Sequence, residues 1–115
     1  MKIGKDDFEI FISYEEFACR PLYREEIPVT EVELVRLVGQ YRVRDEINCG
    51  LSNCHTRHKS GWIVETSDGH EGHIGHVCAE RKFGVKFKDS EKRFKDWHSK
   101  KITIESIISY LSQVD

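Results

Sequence analysis

Between Cys49 and Gly84 the chain reads CGLSNCHTRHKSGWIVETSDGHEGHIGHVCAERKFG. This one segment of a 115-residue chain holds three of its four cysteines and five of its six histidines. It also carries a hairpin signal. The run Ser60-Gly61-Trp62-Ile63-Val64-Glu65-Thr66 suits a strand, Ser67-Asp68-Gly69 suits a turn, and a Gly- and His-rich return follows. Thiols and imidazoles on both sides of a tight turn restrict what this chain can fold into more than any other feature.

Such a cluster takes its meaning from the compartment. The opening Met-Lys-Ile-Gly-Lys-Asp-Asp lacks the apolar core and small-residue cleavage site of a secretory signal. Nothing approaches the roughly 18 consecutive apolar residues of a membrane span. The expectation is a cytoplasmic protein, where thiols stay reduced and clustered cysteines favour a metal over disulfides. Zinc takes thiolate and imidazole ligands in a closed tetrahedron when its role is structural. Cys49 and Cys54 flank the turn-forming Gly-Leu-Ser-Asn, and Cys78 falls near the start of a helix expected from Val77 to about Lys82, which Gly84 can end. The positive end of that helix favours the thiolate form. These three cysteines are the expected ligands of a structural zinc ion. For the fourth ligand the spacing leaves His58, four residues after Cys54, level with His76, two before Cys78; His55 and His73 are weaker alternatives.

The order of a cysteine pair, a β-hairpin and a ligand at a helix start is similar to that of treble-clef zinc fingers. More narrowly, C-x4-C-x3-H-x2-G, an apolar strand and then Ile74-Gly75-x-x-Cys78-x4-Phe83-Gly84 resembles uncharacterised bacterial and phage zinc-binding proteins. That resemblance implies further helices or a coiled coil after the finger, and implies no activity.

The flanks read as helical. Ser13-Tyr14-Glu15-Glu16 fits a capping box, with Ile12 and Phe17 as a hydrophobic staple, opening a helix from about Tyr14 to Arg20 before Pro21. Cys19 on that helix reads as a small buried apolar residue. Thr30 and Glu33 form a second capping box, and Leu34, Val35, Leu37, Val38 and Tyr41 fall on one helical face. A helix to Val38, ended by Gly39, and a strand over Gln40–Glu46 are expected, although the β-branched content also suits a strand. Behind the finger, Asp89-Ser90-Glu91 opens a basic helix to about Ser99. Thr103 caps a last one bearing Ile104, Ile107, Ile108 and Leu111. The expected architecture is one α+β domain over 1–115: a mostly helical part (1–46), the zinc hairpin (47–88) and two helices (89–115).

Charge is uneven along this plan. Residues 1–48 carry seven Lys/Arg against eleven Asp/Glu, a balance of −4; residues 81–101 carry nine against three, a balance of +6. The basic run Arg81, Lys82, Lys86, Lys88, Lys92, Arg93 and Lys95 is interleaved with Phe83, Phe87, Phe94 and Trp97. Cations neutralise phosphates and exposed aromatics stack on bases, so a non-catalytic zinc module that binds nucleic acid or a nucleoprotein partner is the leading expectation. Spacing makes Phe87, Phe94 and Trp97 core residues beneath a basic face rather than a stacking surface. The alternative is an interaction or inhibitor protein docking a protein partner, or a second copy, through its acidic front or its apolar last helix. A third reading is a metal-dependent His-Me (HNH-like) nuclease using His70, Glu71, His73 and His76; it lacks the Asp-His pair and helical Asn-x-x-His that such a site uses. No phosphate-binding loop, nucleophile elbow or dinucleotide fingerprint is present.

Overall fold

A computed structural model describes residues 8–28, 32–51, 54 and 56–112, with side chains through Lys100. The fold is α+β: a four-stranded mixed sheet with a long C-terminal helix. Strand β1 (Glu9–Phe11) is followed by helix α1 (Tyr14–Ala18) and then by β2 (Leu34–Asn48). The strands β3 (Arg57–Thr66) and β4 (Glu71–Ile74) form the expected hairpin, and helix α2 (His76–Ser112) follows at once. The sheet order is β1-β2-β3-β4, with β1 parallel to β2 and the other pairs antiparallel.

Both faces of the sheet are covered around its centre, so neighbouring residues such as Trp62, Ile63 and Val64 are all buried. Trp62, Val64 and Ile74 point to one face, where Phe87 and Phe94 of α2 pack edge-on against the Trp62 indole at 5.7 and 5.1 Å. Val38, Tyr41 and Ile63 point to the other, beneath Phe11 and Phe17. On α2 the buried positions Phe87, Ser90 and Phe94 and the half-buried Trp97 recur every three or four residues. Each phenyl ring so placed contributes about 1.5–3 kcal/mol of apolar burial.

Several sequence expectations are corrected here. The 1–46 region is not mostly helical: residues 34–48 form one 15-residue strand, with Gly39 in its middle opposite Glu9 and Ile63. Two irregularities in pairing, between Leu34/Arg36 and Leu37/Gly39, break strict alternation and mimic a helical spacing. Thr30 lies outside the described residues. Helix α1 stops at Ala18, with Cys19 as its exposed cap rather than a buried apolar residue. Ser13 Oγ accepts from Glu16 N–H at 3.3 Å as a cap should, but Glu16 reaches back to the Ile12 N–H at 2.7 Å. Ile12 is 71% exposed and staples nothing. Gly84 does interrupt the last helix (φ 56°, ψ −127°), yet helix resumes immediately after it rather than at Asp89 and continues without a break through Thr103. The side chains of Ile104, Ile107, Ile108 and Leu111 lie outside the described set.

Candidate metal centre

Two cysteines from the loop between β2 and β3 and one from the start of α2 meet on the face of the sheet that carries α2. Cys49 follows the end of β2, Cys54 ends the short connection beyond it, and Cys78 sits in the first turn of α2. Backbone bonds fix the loop: Cys49 N–H donates to the Thr56 carbonyl (2.9 Å), Cys54 N–H to Leu51 (2.9 Å), and Ile27 N–H to Gly50 (2.6 Å). The three sulfurs lie within 4.8 Å of one another, with Cys78 Sγ 3.1 Å from Cys54 Sγ. A tetrahedral site with Zn–S bonds of about 2.3 Å sets neighbouring sulfurs about 3.8 Å apart, close to this spread. Cys49 and Cys78 are buried and Cys54 half-buried. This is a buried three-cysteine cluster that can hold a metal ion such as zinc.

Electrostatics at the cluster split the two close thiols, and the start of α2 does not lower the Cys78 thiol, contrary to the expectation from sequence. Burial pushes the Cys78 thiol up to about 12, helped by its hydrogen bond to Cys54. Burial also raises Cys54, but bonds from the Thr56 backbone and from Cys78 outweigh it and leave that thiol lowered to about 7. The Cys78 thiol donates to Cys54 Sγ, and a bound cation would stand in place of that proton. The Gly75 N–H, just ahead of α2, already donates to Cys49 Sγ at 3.4 Å.

His58 lies on β3, paired with Ile47. Its Nε2 is buried and has no hydrogen-bond partner among the described residues. That nitrogen faces Gly75, where an added Cβ would come within 2.5 Å of it. The same glycine that bonds Cys49 therefore leaves room for the imidazole. Among the described residues of this cluster only the three cysteines bring their ligand atoms within 4.8 Å of one another, and His58 is not of that group; the three thiols are the donors that fit a zinc ion.

The other histidines are engaged elsewhere. His76 approaches Trp62, Glu80 and Glu91. His73 is buried on the opposite face, stacked on Tyr23, its Nε2 2.7 Å from the Asn48 carbonyl and its Nδ1 2.8 Å from the Tyr23 hydroxyl. The carbonyl only accepts, so Nε2 carries the proton and Nδ1 accepts from tyrosine. Burial holds the His73 pKa below the usual histidine value. His70 is exposed at the hairpin turn, 3.9 Å from Asp68, and Glu71 is buried against Arg20. These four residues of the nuclease reading do not converge on one point. His55 lies outside the described residues. Sequence reasoning missed the Tyr23–His73–Asn48 chain, for which the sequence has no local signal. A cavity of about 320 Å³ bordered by Tyr14, Glu25, Asn48 and His73 is also lined by Cys49 and Cys54.

No family model, curated protein or solved structure matches this chain.

Of the basic run, Arg81, Lys86, Lys88, Lys92, Arg93 and Lys95 are exposed on α2 and Lys82 is half-buried. Lys95 pairs with Glu91 at 3.4 Å, and Lys86 comes within 3.9 Å of Glu33. Phe87 and Phe94 lie beneath them in the core and are not available for stacking.

Proposed function

We propose that the chain is a non-catalytic zinc module in which Cys49, Cys54, Cys78 and His58 hold a structural ion and the outer face of α2 binds a nucleic-acid backbone. The order of cysteine loop, β3–β4 hairpin and Cys78 at a helix start supports a treble-clef-like reading of the centre. The observation that carries the nucleic-acid reading is the exposed set Arg81, Lys86, Lys88, Lys92, Arg93 and Lys95 on one helix. With Phe87 and Phe94 buried and Phe83 and Trp97 half-buried against the core, the contact is mainly electrostatic and largely blind to sequence. Zinc at the root of α2 ties this face to the sheet and supplies folding free energy that a small core lacks.

Fluorescence anisotropy with single- and double-stranded DNA and RNA, at low and moderate salt, tests it. Log affinity falls with log salt by about 0.9 for each phosphate neutralised on duplex DNA, and Lys88→Gln with Lys92→Gln flattens that slope. Absence of binding at low salt, or binding indifferent to salt, overturns the reading. A protein partner is the second reading. Val77 and Val85, 60% and 73% exposed, flank the Gly84 bend beside Arg81 and Lys88 around a notch of about 400 Å³. Loss of a captured protein on Val85→Glu, with nucleic-acid affinity absent, favours that one.

A further inference from the structure

The bend at Gly84 brings together side chains that a straight helix would hold apart. His76 and Glu80 lie one turn apart on the first arm of α2, and Glu91 comes from the second. Each offers a ligand atom, and these atoms lie within 4.8 Å of one another. Glu80 Oε2 is 3.2 Å from His76 Nε2, and Glu91 Oε2 is 3.4 Å from Nδ1. The Glu91 side chain is only 12% exposed, while His76 and Glu80 are 48% and 41% exposed.

The hydrogen bonds around the ring leave an electron-rich gap. The Trp62 indole N–H points at His76 Nδ1 over 3.3 Å. An indole nitrogen only donates, so Nδ1 carries a lone pair and the proton sits on Nε2, directed at Glu80. The Glu91 oxygen 3.4 Å from Nδ1 therefore faces a second acceptor with no proton between them. Lys95, also 3.4 Å from Glu91, offsets part of its charge from outside. A cation between imidazole and carboxylate would take the Nδ1 lone pair from the Trp62 N–H and turn that repulsive pair into a bound one.

We infer that His76, Glu80 and Glu91 form a second divalent-cation site, separate from the thiols, which braces the two arms of α2 across Gly84. One nitrogen and two carboxylates, without sulfur, suit Mn²⁺ or Fe²⁺ rather than a thiolate-seeking ion. Three protein ligands with half-exposed flanks leave coordination positions open to water, as closed structural sites do not. The site stands whether or not α2 binds nucleic acid. By tying Glu91 to the root of the helix, the ion fixes the direction in which the basic arm leaves the sheet.

Manganese is the probe, because it prefers oxygen and nitrogen donors to the thiolates of the first site. Titration of the protein as purified, followed by the electron paramagnetic resonance of free Mn²⁺, is expected to show about one tight Mn²⁺ per chain. Glu91→Gln, which keeps shape and removes charge, weakens it by about 10- to 100-fold, with the metal content of the cysteine cluster unchanged. In the unaltered protein, sub-stoichiometric Mn²⁺ broadens the Trp62 indole N–H resonance first. No manganese uptake, uptake indifferent to Glu91→Gln, or an unbroadened Trp62 indole each overturns the proposal. The indole readout needs no variant and decides the matter if Glu91→Gln fails to fold.

Discussion

Gly75→Ala is the sharpest probe of how His58 relates to the thiols. A Cβ on Gly75 would stand 2.5 Å from His58 Nε2, 2.7 Å from Cδ2 and 3.1 Å from Cε1. The Gly75 φ is not positive, so the backbone accepts alanine and the whole cost falls on the imidazole, which has to leave the pocket. Overpacking of this kind costs about 1–3 kcal/mol, offset by about 0.4–1 kcal/mol from the smaller freedom of the unfolded chain. In a His58→Ala background the obstructing ring is gone, and Gly75→Ala becomes neutral to slightly stabilising. A double-mutant cycle, run by urea denaturation at fixed zinc with tryptophan fluorescence, should therefore give a coupling of about 1–3 kcal/mol. The same four proteins titrated with Co²⁺ should show Gly75→Ala weakening the metal as His58→Ala does, and adding nothing in the double variant. Additive stabilities within about 0.5 kcal/mol, or wild-type metal affinity in Gly75→Ala, would refute the placement of His58 as a ligand.

Three further outcomes follow from other contacts. Glu71, 5% exposed at its side chain, accepts from Arg20 Nε and Nη2 at 2.6 and 3.2 Å. Glu71→Gln should cost about 2 kcal/mol in urea denaturation, below the usual cost of breaking a buried pair because Arg20 is partly exposed and keeps Glu9. Gly84→Ala should destabilise by about 1–3 kcal/mol through backbone strain alone, since nothing lies within 4 Å of the new Cβ; a neutral result would mean the bend relaxes freely. Burial raises the Asp68 carboxyl, but the Thr66 hydroxyl and the Arg24 guanidinium outweigh it and lower its pKa from 3.8 to about 2. A depressed carboxylate stabilises the fold above its unfolded pKa and ceases to as pH falls through the folded one. The advantage of the natural chain over Asp68→Asn should thus be present above about pH 4 and fade towards about pH 2. A gap unchanged across that window, in denaturation at stepped pH, would contradict it.

Local chemistry explains what the sequence discloses. The Ser67-Asp68-Gly69 turn, the Gly84 break and the Ser13 cap all act within a few residues, and all are found where they read. The misreading of 34–41 as helix has a tertiary cause. Apolar residues crowd there because β2 is covered on both faces and carries irregular pairing, a pattern that cannot be told from helical spacing without its neighbours. The cysteine cluster is legible because few roles bring three thiols to one hairpin. Spacing ranks His58 and His76 together, and only long-range placement separates their surroundings. Tertiary packing sets the His58 ring against Gly75, while the bend at Gly84 carries Glu91 to His76. Nothing local foretells that α2 continues past Thr103, because a threonine that suits a cap is tolerated inside a helix.

The metal content of the purified chain, measured by elemental mass spectrometry, tests the central claim most directly. The account predicts about one zinc ion per chain, lost together with folded structure when Cys54 or Cys78 is changed to serine. A folded protein that contains no metal and whose cysteines react freely with a thiol reagent would contradict it.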